Sequence, residues 1–285
     1  MDTGSSDGSS GVLRSGLPSG ATVLDAPGAF FGTAVAAAVH STHEAANEAQ
    51  SSWYWLLHDD SAPEPDALKH LLDAVEKAPS VTVAGCKQVE ANRPDRLVDV
   101  GLTMTRSGRR FNRVAPDEVD QGQYDHTSDS LGVNSAGLLI RADVYATLGG
   151  FDPALPGVGD DVDLGRRAWL AGHRVVVVPE ARIRHHNDEV EAVSGPRVTE
   201  RAAAYSRLKF ASGLALPFLA VWMLIAGLGR AVGRLIGKDP AGAIVDLGAG
   251  ATGLLRPRQL AAGRRRLSGA QRVPRAVVRP LLAKP

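Results

Sequence analysis

The sequence predicts a layered α/β domain followed by a membrane-seeking helical part. Short apolar runs typical of buried strands alternate with segments whose apolar residues recur at helical spacing. Residues 210–229 then form a run of twenty residues without a charge, and residues 256–285 hold nine basic side chains and no acidic one. We therefore expect an α/β domain over residues 1–205 and a membrane-associated helical segment with a basic tail over residues 206–285.

The composition limits the class of protein. The chain has 285 residues, a formal net charge of +1 and 44% hydrophobic residues, which is enough for one large or two small domains with a buried core. Its single cysteine, Cys86, excludes an intrachain disulfide framework and a multi-cysteine zinc site. Because the charge is nearly balanced, the chain has no signature of nucleic-acid binding, and no nucleic-acid partner is expected.

The first half of the α/β domain is predicted from composition and periodicity. Residues 1–20 are rich in Gly and Ser and are expected to form a loop. The elements that follow are a short strand over 22–25, a helix over 28–43, a strand over 53–57, a helix opened by Pro65 and a strand over 81–85.

The second half continues the alternation of strands and helices. We expect a hairpin over 97–114 that turns at Ser107 and Gly108, a strand over 133–140, a helix over 142–148, a turn over 149–153, a helix over 160–171 and a strand over 173–178. Gly172 is expected to end the last helix and Pro179 to close the last strand.

The first cluster of chemically useful side chains is His58, Asp59 and Asp60. A short apolar run that ends in carboxylates is typical of a buried parallel strand that reaches a ligand crevice. One carboxylate of such a pair can bind a hard cation such as Mg²⁺ or Mn²⁺, while the other reaches a sugar hydroxyl. The alternative is a solvated loop in which Asp60 caps the following helix.

The second cluster is Asp160, Asp161 and Asp163, which follow a Gly-rich segment. Acidic residues at a helix start are favoured by the helix dipole, which is a sufficient explanation for one of them. Three carboxylates within four residues repel one another and can raise the pKa of a buried member. A carboxylate of that kind that faces a cleft is a candidate general base.

Two further segments are ambiguous when taken alone. His185 and His186 are a candidate metal-binding pair, although adjacent histidines are also a common surface feature. The Gly-rich segment from Asp2 to Gly8 can wrap a nucleotide or can be a frayed terminus.

Taken in order, these segments resemble the family 2 glycosyltransferases, including their membrane-associated actinobacterial members, over residues 2–187. The segments that carry the resemblance are D-T-G-S-S-D-G from Asp2, G-A-F-F-G-T-A from Gly28, L-H-D-D from Leu57, G-L-L-I-R from Gly137, G-G-F-D from Gly149 and G-D-D-V-D-L-G-R-R-A from Gly159. They are similar to the family's D-N-G-S-T-D-G loop, its G-F-G-x-A helix start, its D-x-D metal motif, the segment below its acceptor site and its E-D-x-D-L-x-x-R-A motif. The resemblance implies the GT-A fold, a mixed sheet flanked by helices, here lacking the family's first strand.

The resemblance also implies roles for individual residues. Asp2 and Gly4 would contact the nucleotide, and Asp59 would lie near the sugar or ribose. Asp60 would bind a Mn²⁺ or Mg²⁺ ion that bridges the diphosphate, and His185, with His186 as the alternative, would complete the metal shell. Asp161 would deprotonate the acceptor hydroxyl, with Asp160 supporting it.

The implied reaction is the transfer of a sugar, with inversion, from a nucleotide-diphosphate donor to a hydroxyl of a glycan or lipid-linked acceptor. Loss of the diphosphate builds up negative charge that a metal ion neutralises, and the acceptor needs a base. The alternatives are a non-catalytic, membrane-bound binding or assembly subunit and, more distantly, a sugar-phosphate hydrolase.

The uncharged run at residues 210–229 is long enough to cross a hydrocarbon core, about 30 Å thick. Positive charges on both sides, including Arg207 and Arg230, argue against a simple crossing. The remaining possibilities are a re-entrant segment at 241–255 and an interfacial anchor whose arginines meet anionic lipids. We expect a cell-membrane protein whose catalytic domain faces the cytoplasm, where nucleotide sugars occur, and which acts in cell-envelope biogenesis.

Overall fold

The computed structural model describes residues 1–45, 52–125, 129–186 and 190–283. Its helices are α1 (Ser9–Gly16), α2 (Phe31–Ala45), α3 (Ala67–Lys77), α4 (Ala142–Leu148), α5 (Asp160–Leu170), α6 (Val190–Lys209), α7 (Leu216–Ile236), α8 (Pro240–Gly250), α9 (Thr252–Leu255), α10 (Pro257–Ala270) and a final 3₁₀ helix (Arg275–Leu281). Its strands are β1 (Trp53–Leu56), β2 (Ser61–Pro63), β3 (Val81–Glu90), β4 (Leu97–Asp99), β5 (Leu102–Met104), β6 (Arg110–Asn112), β7 (Leu138–Arg141) and β8 (Arg174–His185).

The main sheet is mixed. Its strand order is β1-β7-β3-β8-β2, with β4 added beside β3, and β5 and β6 form a separate two-stranded sheet. Strands β3 and β8 pair in parallel, whereas the other pairings of the main sheet are antiparallel. The predicted mixed sheet flanked by helices is therefore confirmed.

Alternate residues of the central strands face two hydrophobic layers. Val175 and Val177 of β8 pack with α4 and α5 on one face, and Val176 and Val178 pack with α3 on the other. Strand β8 therefore contains a continuous run of valines, because helices cover both of its faces there.

The helices expected over 28–43, 142–148 and 160–171 correspond to α2, α4 and α5, and the helix expected after Pro65 is α3. The predicted hairpin is also present, since β5 and β6 pair antiparallel on either side of the turn at residues 105–109. Strong helical periodicity and a glycine turn were therefore sufficient to predict these elements.

The N-terminal residues differ from the expectation. Residues 9–16 form helix α1 instead of a loop, because the Asp7 carboxylate accepts hydrogen bonds from the Ser9 N–H and hydroxyl, at 3.0 and 2.6 Å, at the start of the helix. The strand expected over 22–25 is reduced to a single bridge between Asp2 and Asp25.

Two strand boundaries also differ. Strand β8 continues through Pro179 to His185, because a bulge takes up the residue that cannot donate to the ladder. Cys86 of β3 pairs with Val178, and the next residue, Lys87, pairs with Arg182. The strand expected over 133–140 begins only at Leu138.

The uncharged run at residues 210–229 is not one helix. Helix α6 ends at Lys209, and α7 begins at Leu216. Phe210 between them is buried, with the Arg166 guanidinium carbon 4.0 Å from its ring centroid. Part of the run therefore belongs to the core of the α/β domain, and only the rest enters the apolar helix.

The basic C-terminal segment packs back onto the α/β domain. Leu267 of α10 and Val278 of the 3₁₀ helix share a buried cluster with Leu102 and Leu131. Arg264 donates to the carbonyls at the end of α6, including that of Lys209 at 3.0 Å. The boundary at 205/206 lies inside α6 and stays a prediction.

A buried ionic network joins the α/β domain to α6. The Lys209 ammonium, fully buried, lies 2.7 Å from an Asp152 oxygen and 2.6 Å from an Asp163 oxygen. Tyr205 donates to Asp152 at 2.8 Å, and Arg167 donates to Asp163 at 2.7 Å. Buried charges of this kind are tolerated only when they are paired and hydrogen-bonded, as they are here.

Candidate active site

Pairing between β2 and β8 brings the first and third sequence clusters together. His58 and Asp60 lie in the turn between β1 and β2, and His185 is the last residue of β8. Ser61 is in register with His185, so its neighbour Asp60 lies beside the imidazole although 125 positions separate the two residues. The long continuation of β8 through Pro179 is what places His185 there.

His58, Asp60 and His185 each offer a ligand atom, and these atoms lie within 4.8 Å of one another. His185 Nε2 is 3.1 Å from Asp60 Oδ1, and His58 Nδ1 is 3.9 Å from the same oxygen. The His185 ring is buried, and its Nδ1 has no hydrogen-bond partner among the described residues. His186, in contrast, is exposed, and its backbone N–H donates to the Asp60 carbonyl at 3.0 Å.

His58 is suited to bind a cation as a neutral imidazole. Burial, and next the proximity of His185, lower the pKa of His58, which favours its uncharged form. Its Nε2 lies 2.9 Å from the Ser135 hydroxyl, and its ring packs against Phe31 in a tilted arrangement, with the centroids 4.5 Å apart. These contacts fix the orientation of the ring beside Asp60.

The acidic cluster lies at the beginning of α5, pressed against the loop that precedes β7. Gly159 takes φ 73° just before the helix. A Cβ on Gly165 would come within 2.4 Å of the Leu131 carbonyl oxygen, and one on Gly132 within 2.8 Å of the Val162 Cα. Only glycine permits this close approach, which sets the position of the acidic residues.

Asp160 and Asp161 are both buried and face a single cation. Arg110 of β6 lies 3.1 Å from Asp161 Oδ2 and 3.9 Å from an oxygen of Asp99. Burial, and next the Asp161 carboxylate, raise the pKa of Asp160. Burial likewise raises the pKa of Asp99, to about 6. Three carboxyl groups around one guanidinium form a group that can hold a proton near neutral pH.

Asp163 does not join this group. It is fully buried, and its two oxygens pair with Lys209 and Arg167. Of the three acidic residues in the sequence motif, two therefore face Arg110, and the third holds the helix to the rest of the domain.

Polar groups lie between the two clusters. His58 contacts the Ser135 hydroxyl, and the side chain of the preceding residue, Asn134, is one of the groups that lower the pKa of Asp99. Arg110 lies beside both Asp99 and Asp161. The Asp161 carboxylate is also one of the charges that act on the pKa of His58, so the two clusters are electrostatic neighbours.

The N-terminal residues, helix α2 and strand β1 line one cavity of about 1140 Å³. Asp59 is part of this lining, as are Thr3, Ser5 and Gly8. The cavity is large enough for a nucleotide-sized ligand.

Asp2 shapes this loop from within. Its Oδ1 accepts the N–H groups of Gly4 and Ser5, at 3.0 and 2.9 Å, and these bonds lower the pKa of Asp2 well below its usual range. Gly4 takes φ 107°, which few other residues adopt. Both residues therefore form the turn whose neighbours, Thr3 and Ser5, face the cavity.

The sequence left some of the site unassigned. His58 was recognised only as part of an acidic motif, and Asp99, Arg110 and Ser135 were not candidates. Arg110 follows the predicted hairpin turn directly, but nothing in the local pattern distinguishes it from Arg109. The roles of Asp99, Arg110 and Ser135 depend on contacts between distant segments.

Comparison with curated proteins finds relatives that act in glycan assembly by name. The O-antigen biosynthesis protein RfbC of Myxococcus xanthus is 33% identical over 147 residues, which are 50% of this chain and 11% of that protein. The N-acetylglucosaminyl-diphospho-decaprenol L-rhamnosyltransferase of Mycobacterium tuberculosis is 25% identical over 207 residues, which are 65% of this chain and 64% of that protein. The chain thus spans about a tenth of the first relative and less than two thirds of the second.

Solved structures give weaker likenesses. The mannosyltransferase PcManGT from Pyrobaculum calidifontis, in complex with GDP-Man and Mn²⁺, is 16% identical, with a TM-score of 0.47 over 94% of this chain and 74% of that one. GalNAc-T7 with UDP, GalNAc and Mn²⁺ is 13% identical, with a TM-score of 0.46 over 70% of this chain and 40% of that one.

The family match is more extensive. The sequence profile described as "Glycosyltransferase like family 2" matches residues 30–210, which is more than half of the chain. These residues include β1 to β8, both acidic clusters and His185. The resemblance seen in the sequence motifs is confirmed, and the chain belongs to the family 2-like glycosyltransferases.

Proposed function

We propose that this chain transfers a sugar, with inversion, from a nucleotide-diphosphate donor to a hydroxyl group of a lipid-linked or cell-envelope glycan acceptor. The observation that carries the proposal is a pair of neighbouring clusters, a potential metal-binding group at His58, Asp60 and His185 and a buried acid pair at Asp160 and Asp161, whose Asp161 charge acts on the pKa of His58. A transferase of this kind needs both clusters, because the leaving diphosphate needs a positive charge beside it and the acceptor hydroxyl needs a base.

The residues fit a divalent metal ion. Asp60 and His185 would hold it, with His58 as a further ligand, since two imidazoles and a carboxylate converge and the buried His185 Nδ1 lacks a partner among the described residues. This mixed donor set suits Mn²⁺ better than Mg²⁺, which prefers oxygen ligands. The bound ion would neutralise the negative charge that develops on the leaving diphosphate.

Asp161 would accept the proton of the acceptor hydroxyl as the new bond forms. Arg110 holds one of its oxygens, while the Val162 N–H donates to the other at 2.7 Å, so the carboxylate is fixed in orientation. Asp160 would support it by sharing the proton of the buried pair. Attack from the side opposite the leaving diphosphate inverts the anomeric centre.

The donor would occupy the cavity of about 1140 Å³. Asp59 in its lining would contact the sugar or ribose. Asp2 and Gly4 would shape the loop that receives the nucleotide, and the backbone and hydroxyl groups of Thr3 and Ser5 would contact it directly. The diphosphate would then lie between the cavity and the metal-binding group.

The acceptor is proposed to be bound to a membrane lipid. The mycobacterial relative is named for a diphospho-decaprenol acceptor, and α7 is, within the described residues, the helix that is long and apolar enough to cross a membrane. The catalytic domain would face the cytoplasm, where nucleotide sugars are made.

The geometry of α7 favours an interfacial position. Its charge-free part, residues 216–229, is 14 residues long and covers about 21 Å, less than the roughly 30 Å of a hydrocarbon core. Helix α8 folds back along it, and Arg230 and Arg234 pair with Asp246 at 2.8 and 2.9 Å. An apolar helical hairpin in the plane of the membrane agrees with these charges better than a span does.

The proposal is tested by the turnover of UDP- and dTDP-sugars with Mn²⁺. Asp161→Asn should lower turnover about 10²- to 10⁴-fold, as expected for loss of a general base. Asp60→Ala should remove the turnover that depends on Mn²⁺. Asp95→Asn, an exposed carboxylate on the surface, is the matched control and should leave turnover unchanged.

Other outcomes identify the alternatives. Nucleotide binding without turnover, unaffected by the two site variants, would indicate a binding or assembly subunit. Release of free sugar at the same rate with and without any acceptor, over a panel of lipid-linked glycans, would indicate a hydrolase.

A further inference from the structure

A second cavity lies away from the proposed catalytic site, between α6, the α7–α8 hairpin and the tip of the β5–β6 hairpin. It has a volume of about 930 Å³. Gly108 at the hairpin tip packs so closely on α6 that a Cβ there would come within 2.2 Å of the Ala203 carbonyl oxygen. One wall of the cavity is therefore fixed to the same hairpin whose Arg110 contacts Asp161.

Charge in this cavity is unbalanced. Its lining includes five arginines and three acidic residues, namely Arg109, Arg197, Arg207, Arg230, Arg234, Glu200, Asp239 and Asp246. The three acidic residues form ion pairs with Arg109, Arg230 and Arg234. Arg197 and Arg207 have no ion pair with any side chain that the structure describes, so two guanidinium groups of the cavity are without a described carboxylate partner.

The opposite wall is apolar and opens onto the exposed face of α7. Met223 and Ile244 line the cavity, and Trp222 lines it while remaining 61% exposed. Neighbouring side chains on α7, including Phe218 at 79% and Ile225 at 59%, are also exposed. The cavity thus combines arginines with a continuous apolar surface, the pattern that an anionic amphiphile requires.

We propose that this cavity binds the phosphate group of an anionic membrane phospholipid, with Arg197 and Arg207 as its main ligands. The acyl chains of that lipid would lie along Trp222 and the exposed face of α7. Guanidinium groups suit this role because they bind phosphate oxygens through paired hydrogen bonds. The proposal rests on the proposed function only in placing α7 at a bilayer surface, and it does not depend on sugar transfer.

The test is sedimentation of the whole chain with two kinds of vesicle, phosphatidylcholine alone and phosphatidylcholine with phosphatidylglycerol, at an ionic strength of about 0.1 M. The wild type should bind the anionic vesicles about 30-fold more tightly, since each arginine near an anionic surface contributes roughly fivefold. The double variant Arg197→Gln/Arg207→Gln should lose most of this preference. It should bind neutral vesicles like the wild type.

The matched control removes the same charge elsewhere. Lys69 and Lys77 are exposed on α3, and Lys69→Gln/Lys77→Gln should keep the preference for anionic vesicles. An unchanged preference in the arginine variant would overturn the cavity proposal while leaving membrane binding intact. An equal loss in the lysine variant would overturn it as well, because the effect would then follow net charge alone.

A soluble lipid separates the cavity from bilayer docking. Monomeric dihexanoyl phosphatidylglycerol should change the fluorescence of the wild type saturably, and Trp222→Phe and the double arginine variant should lack this change. That result would support lipid binding in the cavity even if the chain does not bind vesicles. In that case only the membrane part of the proposed function would fail. No saturable change, or an equal change with inorganic phosphate at matched ionic strength, would overturn the lipid assignment.

Discussion

His185 Nε2 lies 3.1 Å from Asp60 Oδ1, although one residue ends β8 and the other precedes β2. The contact depends on the bulge at Pro179, since without it β8 would end near the middle of β3. Strand β8 therefore does more than pack against the helices, because its last residue completes the group that could bind a metal.

Removal of either ligand should weaken metal binding. Asp60→Asn and His185→Gln are each expected to reduce Mn²⁺ affinity at least about 100-fold, because loss of even an outer partner of a metal ligand costs about 10- to 100-fold. Titration of Mn²⁺ followed by electron paramagnetic resonance measures the effect directly. Asp66→Asn, an exposed carboxylate before α3, should bind Mn²⁺ like the wild type, and equal binding by all three variants would contradict the metal assignment.

Arg110 should control the pH dependence of the reaction. Its charge lowers the pKa of both Asp99 and Asp160, so Arg110→Gln removes that effect and should move the pH at which the rate rises upward by about one unit. Arg110→Lys should restore most of the wild-type profile. The measurement is the pH–rate profile of donor turnover.

The control for this change is Arg109→Gln. Arg109 pairs with Glu200 instead of the buried acids, so its loss should leave the profile in place. A shift of the same size in both variants would show that Arg110 has no specific relationship to the acid pair.

The ionised Asp99 carboxylate should lower the free energy of unfolding at neutral pH. Its pKa is raised by burial from 3.8 to about 6, so between these values the folded protein binds more protons than the unfolded chain. Stability therefore falls as pH rises through this window, and above it the full penalty, about 3 kcal/mol, is present. Asp99→Asn keeps the acceptor for the Gly101 N–H and should be more stable than the wild type at pH 7.5 by roughly that amount.

Urea unfolding at pH 7.5 and at pH near 4 measures this difference. The advantage of the Asn variant should shrink as the pH falls, since near pH 4 Asp99 is protonated in the folded state and partly protonated in the unfolded chain. A constant difference at both pH values would mean that ionisation of Asp99 is not its cause.

The buried ammonium of Lys209 should be essential for the fold. Lys209→Ala removes the fully buried cation that Asp152 and Asp163 share, which leaves Asp163 with Arg167 alone, and should cost about 3–5 kcal/mol of unfolding free energy. Lys69→Ala removes an exposed pair with Asp73, whose loss should cost less than about 1 kcal/mol. Thermal unfolding of the two variants provides the comparison, and similar losses would contradict the importance assigned to the buried network.

The sequence predicted the elements whose patterns are local. Helices α2 to α5 follow from helical spacing, and the β5–β6 hairpin follows from its glycine turn. The extent of β8 could not be predicted, because whether a proline ends a strand depends on a bulge against the partner strand. The start of α7 could not be predicted either, since Phe210 is buried in the core by contacts with other segments.

The roles assigned at the site stay predictions. Motif order indicated Asp60, Asp161 and His185 as candidates, because their chemistry is apparent from residue type and position. Arg110 and Ser135 became visible only in the structure, since their importance comes from the distant side chains they contact. Asp163 shows the reverse case, a motif residue whose contacts give it a structural role.

The central claim is that Asp60 and Asp161 act on the same sugar, one on the side of the leaving diphosphate and the other on the side of the acceptor. The most direct measurement is a double-variant cycle on Mn²⁺-dependent donor turnover with Asp60→Ala, Asp161→Asn and the combined variant. Residues that act as a unit are strongly non-additive, so the combined variant should be about as slow as the slower single variant. Losses that multiply, or a single variant that turns over at the wild-type rate, would contradict a shared site.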